Sequence, residues 1–155
     1  MEFFFFIDVY ADRELIDYYI ITFKLDDLSS VEITGQQGKY YIRGVKDWEK
    51  FKEDVYDITL YEMGDEIDRF KDIETALREA YKIAIGEGAR RGAKKIVPAI
   101  GFGNPPPSVV ERVYPEKLEF EKFPEDLDSF LDKIVKETFM ETTGERSKDD
   151  DEIHF

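Results

Sequence analysis

Apolar residues recur at steps of three and four between Ile73 and Ile85, and this stripe constrains the fold more than any other feature. Its members are Ile73, Ala76, Leu77, Ala80, Tyr81, Ala84 and Ile85. Because a helix has 3.6 residues per turn, the spacing predicts one buried helical face. Asp72 is placed to accept backbone amides of the first turn. The glycines from Gly86 onward predict an end between residues 86 and 91.

Strand-like segments lie on both sides of this helix. Residues 2–10 form an almost continuous apolar run, which is typical of a central strand covered on both faces. β-Branched and aromatic residues predict further strands over 15–25, 31–34, 39–43, 55–62, 66–70 and 96–100, with possible strands over 109–114 and 118–123. Glycine-containing turns predict hairpins at 35–38 and 63–65. Pro98 lacks an amide donor, so its strand is expected at an edge or a bulge.

These elements predict an α+β fold in a single domain. The sheet is expected to be mainly antiparallel, with a mixed sheet as the alternative, and packed by two amphipathic helices at about 73–90 and 125–140. A short helix is also predicted over 46–53. The domain is expected to span residues 1–141, and residues 142–155 are expected to form an acidic, disordered tail.

The composition excludes several classes of chemistry. The chain has no Cys and one His, His154, in the acidic tail. Disulfides, thiolate nucleophiles, iron–sulfur clusters, Cys-based zinc sites and His-based catalytic triads within one chain are therefore excluded. No cofactor and no metal site are predicted, and the composition favours a non-enzymatic function over an enzymatic one.

The net charge of −14 makes nucleic acid an unlikely partner, because phosphate neutralisation supplies much of that affinity. No apolar run approaches the roughly 18 residues of a membrane helix. The beginning of the sequence lacks the basic region of a signal peptide, so a cytoplasmic location is expected. Charged residues make up 37% of the chain, with two Gln and one Asn, a bias that indicates a thermophilic source.

The glycine- and proline-rich segment after residue 100 is the first candidate site. Glycine permits close approach of a ligand to the backbone, and a loop at the end of a strand is a common ligand site. The candidate ligand-binding residues are Gly101, Phe102, Gly103, Asn104 and Ser108. Their spacing matches neither a phosphate loop nor a dinucleotide fingerprint. A structural connector is therefore the favoured interpretation, with a nucleotide or other small molecule as the alternative.

Asp8 and Asp12 are the candidate catalytic residues. An Asp inside an apolar strand is costly to bury unless it is paired, and neighbouring carboxylates can hold Mg²⁺. The order of strand, hairpin strand, third strand, helix and strand resembles ribonuclease H-like nucleases. That resemblance implies a catalytic Asp on the first strand, which here is Asp8. The sequence ends strand 96–100 in Gly where that family places a second Asp. The competing interpretation is that Asp8 points outward at a sheet edge.

The leading functional prediction is a non-enzymatic protein-interaction module, with a homo-oligomer as one form that it can take. It rests on the absence of a catalytic constellation and on 22 Phe and Tyr residues, a number that can leave an apolar patch exposed. Its partner is expected to be another protein or a second copy of the chain, and not a membrane. Another alternative is an acidic inhibitor that mimics nucleic acid, which requires carboxylates gathered on one face.

Overall fold

The computed structural model describes residues 1–36, 39–103, 111–114 and 126–134. In chain order its elements are β1 Glu2–Ala11, β2 Glu14–Leu25, β3 Val31–Gln36, β4 Lys39–Val45, α1 Trp48–Asp54, β5 Val55–Glu62, β6 Asp65–Phe70, α2 Ile73–Arg90, β7 Lys95–Phe102, β8 Glu111–Val113 and α3 Leu127–Ile134. Six strands form one sheet in the order β6-β5-β2-β1-β7-β8, and every neighbouring pair is antiparallel. The predicted α+β class is therefore confirmed. Among the described strands the sheet is antiparallel and not mixed.

The first strand is central, as its apolar run predicts. It pairs along its whole length with β2 and over residues 3–10 with β7. Its odd-numbered side chains Phe3, Phe5, Ile7 and Val9 belong to the main core, and we call their side of the sheet the helix face. Its even-numbered side chains Phe4 and Phe6 belong to a smaller cluster with Ile20 and Ala99, and we call that side the far face.

Helix α2 covers the helix face. The ring of Phe5 meets Tyr81 edge-on with centroids 6.1 Å apart, and Tyr81 contacts Phe130 of α3 at 4.9 Å. All three described helices contribute side chains to this cluster. Asp72 caps α2 as predicted, because its carboxylate accepts the backbone amide of Thr75 at 2.8 Å. Among the described residues, no helix is long and apolar enough to cross a membrane.

The second predicted helix is described over a shorter range than 125–140. α3 runs from Leu127 to Ile134, and residues 135–140 lie outside the described part of the chain. The possible strand at 118–123 and the expected tail at 142–155 also lie outside it. The short helix predicted at 46–53 is α1, whose N-cap Asp47 accepts the amide of Lys50.

Strands β3 and β4 form a two-stranded sheet of their own, which we call the ribbon (residues 31–45). The sequence pattern up to residue 71 predicts mainly an antiparallel meander. Instead, the end of β2 pairs directly with the start of β5, where Leu25 lies opposite Val55. That register leaves no place for the ribbon in the main sheet. Its base is anchored by the buried side chains of Val31 and Val45.

The two sides of β7 differ. Its whole length from Phe102 back to Lys95 pairs with β1, whereas β8 pairs with it over residues 100–102 alone among the described strands. Pro98 lies in the remaining stretch, so its missing amide costs no bond to β8. The prediction of an edge or bulged position is nevertheless wrong, because β7 lies between β1 and β8 and its pairing with β1 has no bulge.

Candidate functional site

Asp8 is buried in the middle of the sheet and not at an edge. It lies on central strand β1, between Tyr18 of β2 and Val97 of β7, and its exposed fraction is 0%. The strand alternation places it on the far face with Phe4 and Phe6. The interpretation that Asp8 points outward at a sheet edge is therefore wrong. The alternative expectation, that a carboxylate here must be paired, is met.

Strand β8 and the residue after it supply the partners of Asp8. Its Oδ2 atom accepts hydrogen bonds from Arg112 Nη1 and from the Tyr114 hydroxyl, each at 2.8 Å. The Arg112 guanidinium also stacks 4.2 Å above the centroid of the Phe6 ring. Burial raises the pKa of Asp8, and the two donors partly offset this effect. Oδ1 is buried without a hydrogen-bond partner among the described residues, which adds to the cost of the charge.

Asp12 does not join Asp8. It lies in the turn between β1 and β2 with a φ of 55° and is exposed. Four residues at roughly 3.3 Å each place their Cα atoms about 13 Å apart along the chain, too far for the two carboxylates to share one Mg²⁺ ion. Over residues 1–36, 39–103, 111–114 and 126–134, no three His, Cys, Asp or Glu side chains are grouped to hold a metal. Asp8 instead has an arginine as its charge partner.

The glycine-rich segment is partly strand. Gly101 and Phe102 continue β7, a correction to the predicted loop, because pairing with β1 and β8 outweighs the low strand preference of glycine. Gly103 follows with a φ of 135°, and its amide donates to Glu2 O at 2.9 Å. It borders a surface pocket of about 290 Å³ with Met1, Glu2 and Lys24. Asn104 and Ser108 lie outside the described residues, and the ligand-binding role of this segment stays a prediction.

A second buried cluster lies on the helix face, at the end of α2. Asp17 is 2% exposed, and its Oδ2 atom lies 3.0 Å from the Tyr19 hydroxyl and 3.1 Å from Arg91 Nη1. The same Tyr19 hydroxyl lies 3.1 Å from Glu62 Oε2. Arg91 also donates to the carbonyl oxygen of Ile16 at 2.7 Å. The cluster therefore ties α2 to β2 and β5.

Proton counting makes this cluster sensitive to pH. The hydroxyl of Tyr19 has one proton, which cannot serve the carboxylates of Asp17 and Glu62 at once. Burial raises the pKa of Glu62, and the hydrogen bond and negative charge of Asp17 raise it further. The folded chain therefore holds the proton of the Glu62 carboxyl more tightly than the unfolded chain does. As a result, stability falls as pH rises from 4.5 through the raised pKa of Glu62.

We expect Glu62→Gln to remove this loss of stability at neutral pH. The amide keeps a donor for Asp17 without adding a second negative charge, so unfolding should cost on the order of 1 kcal/mol more than in the wild type. Urea unfolding from mildly acidic to mildly alkaline pH measures the effect. Glu53→Gln makes the same change at an exposed position on α1. An unchanged pH slope in Glu62→Gln would refute the shared-proton interpretation.

Sequence reasoning missed this cluster, although a signal was present. Asp17 interrupts the apolar alternation of β2 as Asp8 interrupts β1, and the same cost of burial applies to both. Two basic residues, Arg90 and Arg91, also lie at the end of α2. The structure places them at the opposite end of β7 from Gly103, where Arg91 binds Asp17 and Arg90 binds Glu87.

The ribbon differs in charge from the rest of the chain. Residues 31–45 contain Lys39 and Arg43 against Glu32, a formal charge of +1. Since the whole chain carries −14, the remaining residues carry −15. Both basic residues belong to β4, four positions apart. The ribbon is thus a weakly basic element on a strongly acidic protein.

Strand β6 is the exposed edge of the main sheet. It pairs with β5 on one side, and five of its six residues are exposed. Asp65, Glu66 and Asp68 stand against Arg69, so the strand has a formal charge of −2. Arg69 forms a two-pronged ion pair with Glu66 through Nε and Nη2 at 3.2 and 3.0 Å. Charges of this kind protect an edge strand from indiscriminate pairing.

Comparison with known proteins identifies a close relative. An uncharacterised protein of Aquifex aeolicus (strain VF5) is 84% identical over 155 residues, which covers 100% of both chains. No family model and no solved structure matches the chain. The Aquifex relative supports the prediction of a thermophilic source that the charge-rich composition indicated.

Proposed function

The chain belongs to the same family as this Aquifex aeolicus protein, and we propose that it functions as a protein-interaction module that associates with itself through the ribbon. The observation that carries the proposal is the separation of β3 and β4 from the six-stranded sheet. A two-stranded hairpin is marginally stable in water unless further strands or a helix pack against it.

The ribbon has such support at its base. Val31 and Val45 are buried, and Ile33 and Ile42 pack partly against the main core. Farther out, residues 34–36 of β3 pair with residues 39–41 of β4 and with no other described strand. Both outer edges of the ribbon therefore offer backbone donors and acceptors, which a partner strand satisfies by adding to the edge.

The distribution of charge along the chain favours a second copy of the same chain as the partner. A basic strand is attracted to an acidic surface, and the rest of this chain carries −15. In a two-fold dimer, each ribbon meets the acidic surface of the other protomer, so the contact closes and forms no filament. Self-association through the ribbon therefore needs no partner of unknown chemistry.

We expect Lys39→Glu/Arg43→Glu to abolish self-association. Sedimentation equilibrium should give a dimer mass for the wild type and the mass of one chain for the variant, because the reversed ribbon is repelled by the acidic surface. Circular dichroism and thermal unfolding check that the variant is folded.

The matched control makes the same change in net charge elsewhere. Lys82→Glu/Arg90→Glu alters two exposed residues of α2 and should associate as the wild type does. This control separates a local effect of the ribbon from general repulsion between more acidic chains. A wild type that remains monomeric at near-millimolar concentration contradicts the proposal, and so does a ribbon variant that associates like the wild type.

A further inference from the structure

We infer that the surface that receives the ribbon is the β6 edge of a second copy, with β4 of one protomer adding to the sheet of the other. This inference rests on the proposed self-association and names its docking surface. In this arrangement two edges that have no strand partner among the described residues meet with opposite formal charge: β4, which carries Lys39 and Arg43, and β6, which carries a formal charge of −2.

Strand β6 is suited to this role by its place in the topology. It ends the main sheet beyond β5, so the backbone groups on its outer side have no strand partner among the described residues. Its side chains do not fill the core, since Asp65 to Arg69 are all exposed. Adding a strand here extends the six-stranded sheet without rearranging any packed residue, and main-chain hydrogen bonds supply the affinity.

The charges of β6 also select among possible partners. A second β6 would bring −2 against −2, which disfavours pairing between identical edges. A strand with Lys39 and Arg43 meets the opposite sign. Specificity of this kind combines attraction for one partner with repulsion of the others. The same acidic residues that protect the edge therefore admit the ribbon.

The other edge of the main sheet is less suitable. On that side the edge strand β8 pairs with residues 100–102 of β7, and the stretch 96–99 of β7, which β8 does not cover among the described strands, contains Pro98. A proline has no amide to donate to an added strand. The strand β7 begins with Lys95, whose charge has the same sign as the basic residues of β4. Both features favour β6 as the receiving edge.

The test exchanges the charges of the two edges in separate variants. The first is the ribbon variant Lys39→Glu/Arg43→Glu, and the second is the edge variant Asp65→Lys/Asp68→Lys. Each alone faces like charges in a homodimer, so its dissociation constant should rise at least about tenfold. When the two variants are mixed, each contact again joins opposite charges. Native mass spectrometry of the mixture should then show the heterodimer as the main species.

The outcomes separate the two proposals. Suppose that the wild type is a dimer. The β6 assignment is then overturned if the mixture stays monomeric, or if the edge variant alone dimerises as well as the wild type, while self-association stands. If the wild type itself is monomeric, the proposed function fails as well. Glu49→Lys/Glu53→Lys makes the same charge change on exposed residues of α1 and should dimerise like the wild type.

Discussion

Replacing Arg112 with Met should lower the free energy of unfolding by about 3 kcal/mol, because it leaves the fully buried carboxylate of Asp8 without its cation. Met fills much of the space over the Phe6 ring, so the loss reports mainly on charge. Tyr114 still donates one hydrogen bond to Asp8. Urea unfolding at neutral pH measures the loss.

The dependence of this loss on pH follows from the raised pKa of Asp8. Protonation at acid pH removes the buried charge, so the difference between wild type and Arg112→Met should shrink as pH falls. Asp8→Asn combined with Arg112→Met should recover part of the stability, since no unpaired charge remains.

The control is Arg69→Met on the exposed edge strand. That arginine pairs with Glu66 in solvent, so its removal should change stability by less than about 1 kcal/mol. If Arg112→Met costs no more than Arg69→Met, the Asp8–Arg112 pair does not hold β8 to the sheet.

Truncating Phe5 to Ala should cost about 4 kcal/mol, the largest loss expected from a single core residue here. Phe5 is 0% exposed at the centre of β1, and its ring meets Tyr81 of α2 edge-on. The truncation leaves a cavity between the sheet and the helix. Urea unfolding again gives the value, with Phe5→Leu as a milder variant in case the Ala variant does not fold.

The matched control for this truncation is Phe70→Ala. Phe70 ends the edge strand and is half-buried, so its removal should cost clearly less than that of Phe5. Equal losses at the two positions would mean that the β1–α2 interface is not the centre of the core.

Local patterns were enough to predict most elements of this fold. The stripe from Ile73 to Ile85 gave α2 and its cap, because helix spacing and capping depend on neighbouring residues. The hairpin turn at Met63–Gly64 has positive φ at both positions, as tight two-residue turns require. The central place of β1 followed from an apolar run with no polar face.

Contacts between distant residues were not predictable in this way. The cost of burying Asp8 indicated that a partner must exist, but Arg112 lies 104 positions later, and nothing local specifies the register of β7 with β8. Arg91 reaches Asp17 across 74 positions for the same reason. The separation of the ribbon depends on the pairing of Leu25 with Val55, which alternation within each strand does not reveal.

The structure bears on the catalytic hypothesis more than on the ligand-binding hypothesis. Asp8 serves an ion pair, and Asp12 lies apart from it in an exposed turn. Binding of a small molecule near Gly103 and mimicry of nucleic acid by the acidic surface stay predictions. The ribbon, in contrast, was predicted as an ordinary hairpin. Its separation from the main sheet is the observation on which the proposed function rests.

Hydrogen–deuterium exchange at low and at near-millimolar protein concentration tests self-association through the ribbon most directly, because it reads the backbone amides themselves. If the ribbon adds to the β6 edge of a second copy, amides of Lys39–Val45 and Asp65–Phe70 should exchange more slowly at high concentration, while amides of α2 stay unchanged. Exchange in the ribbon that does not depend on concentration would contradict the proposed function.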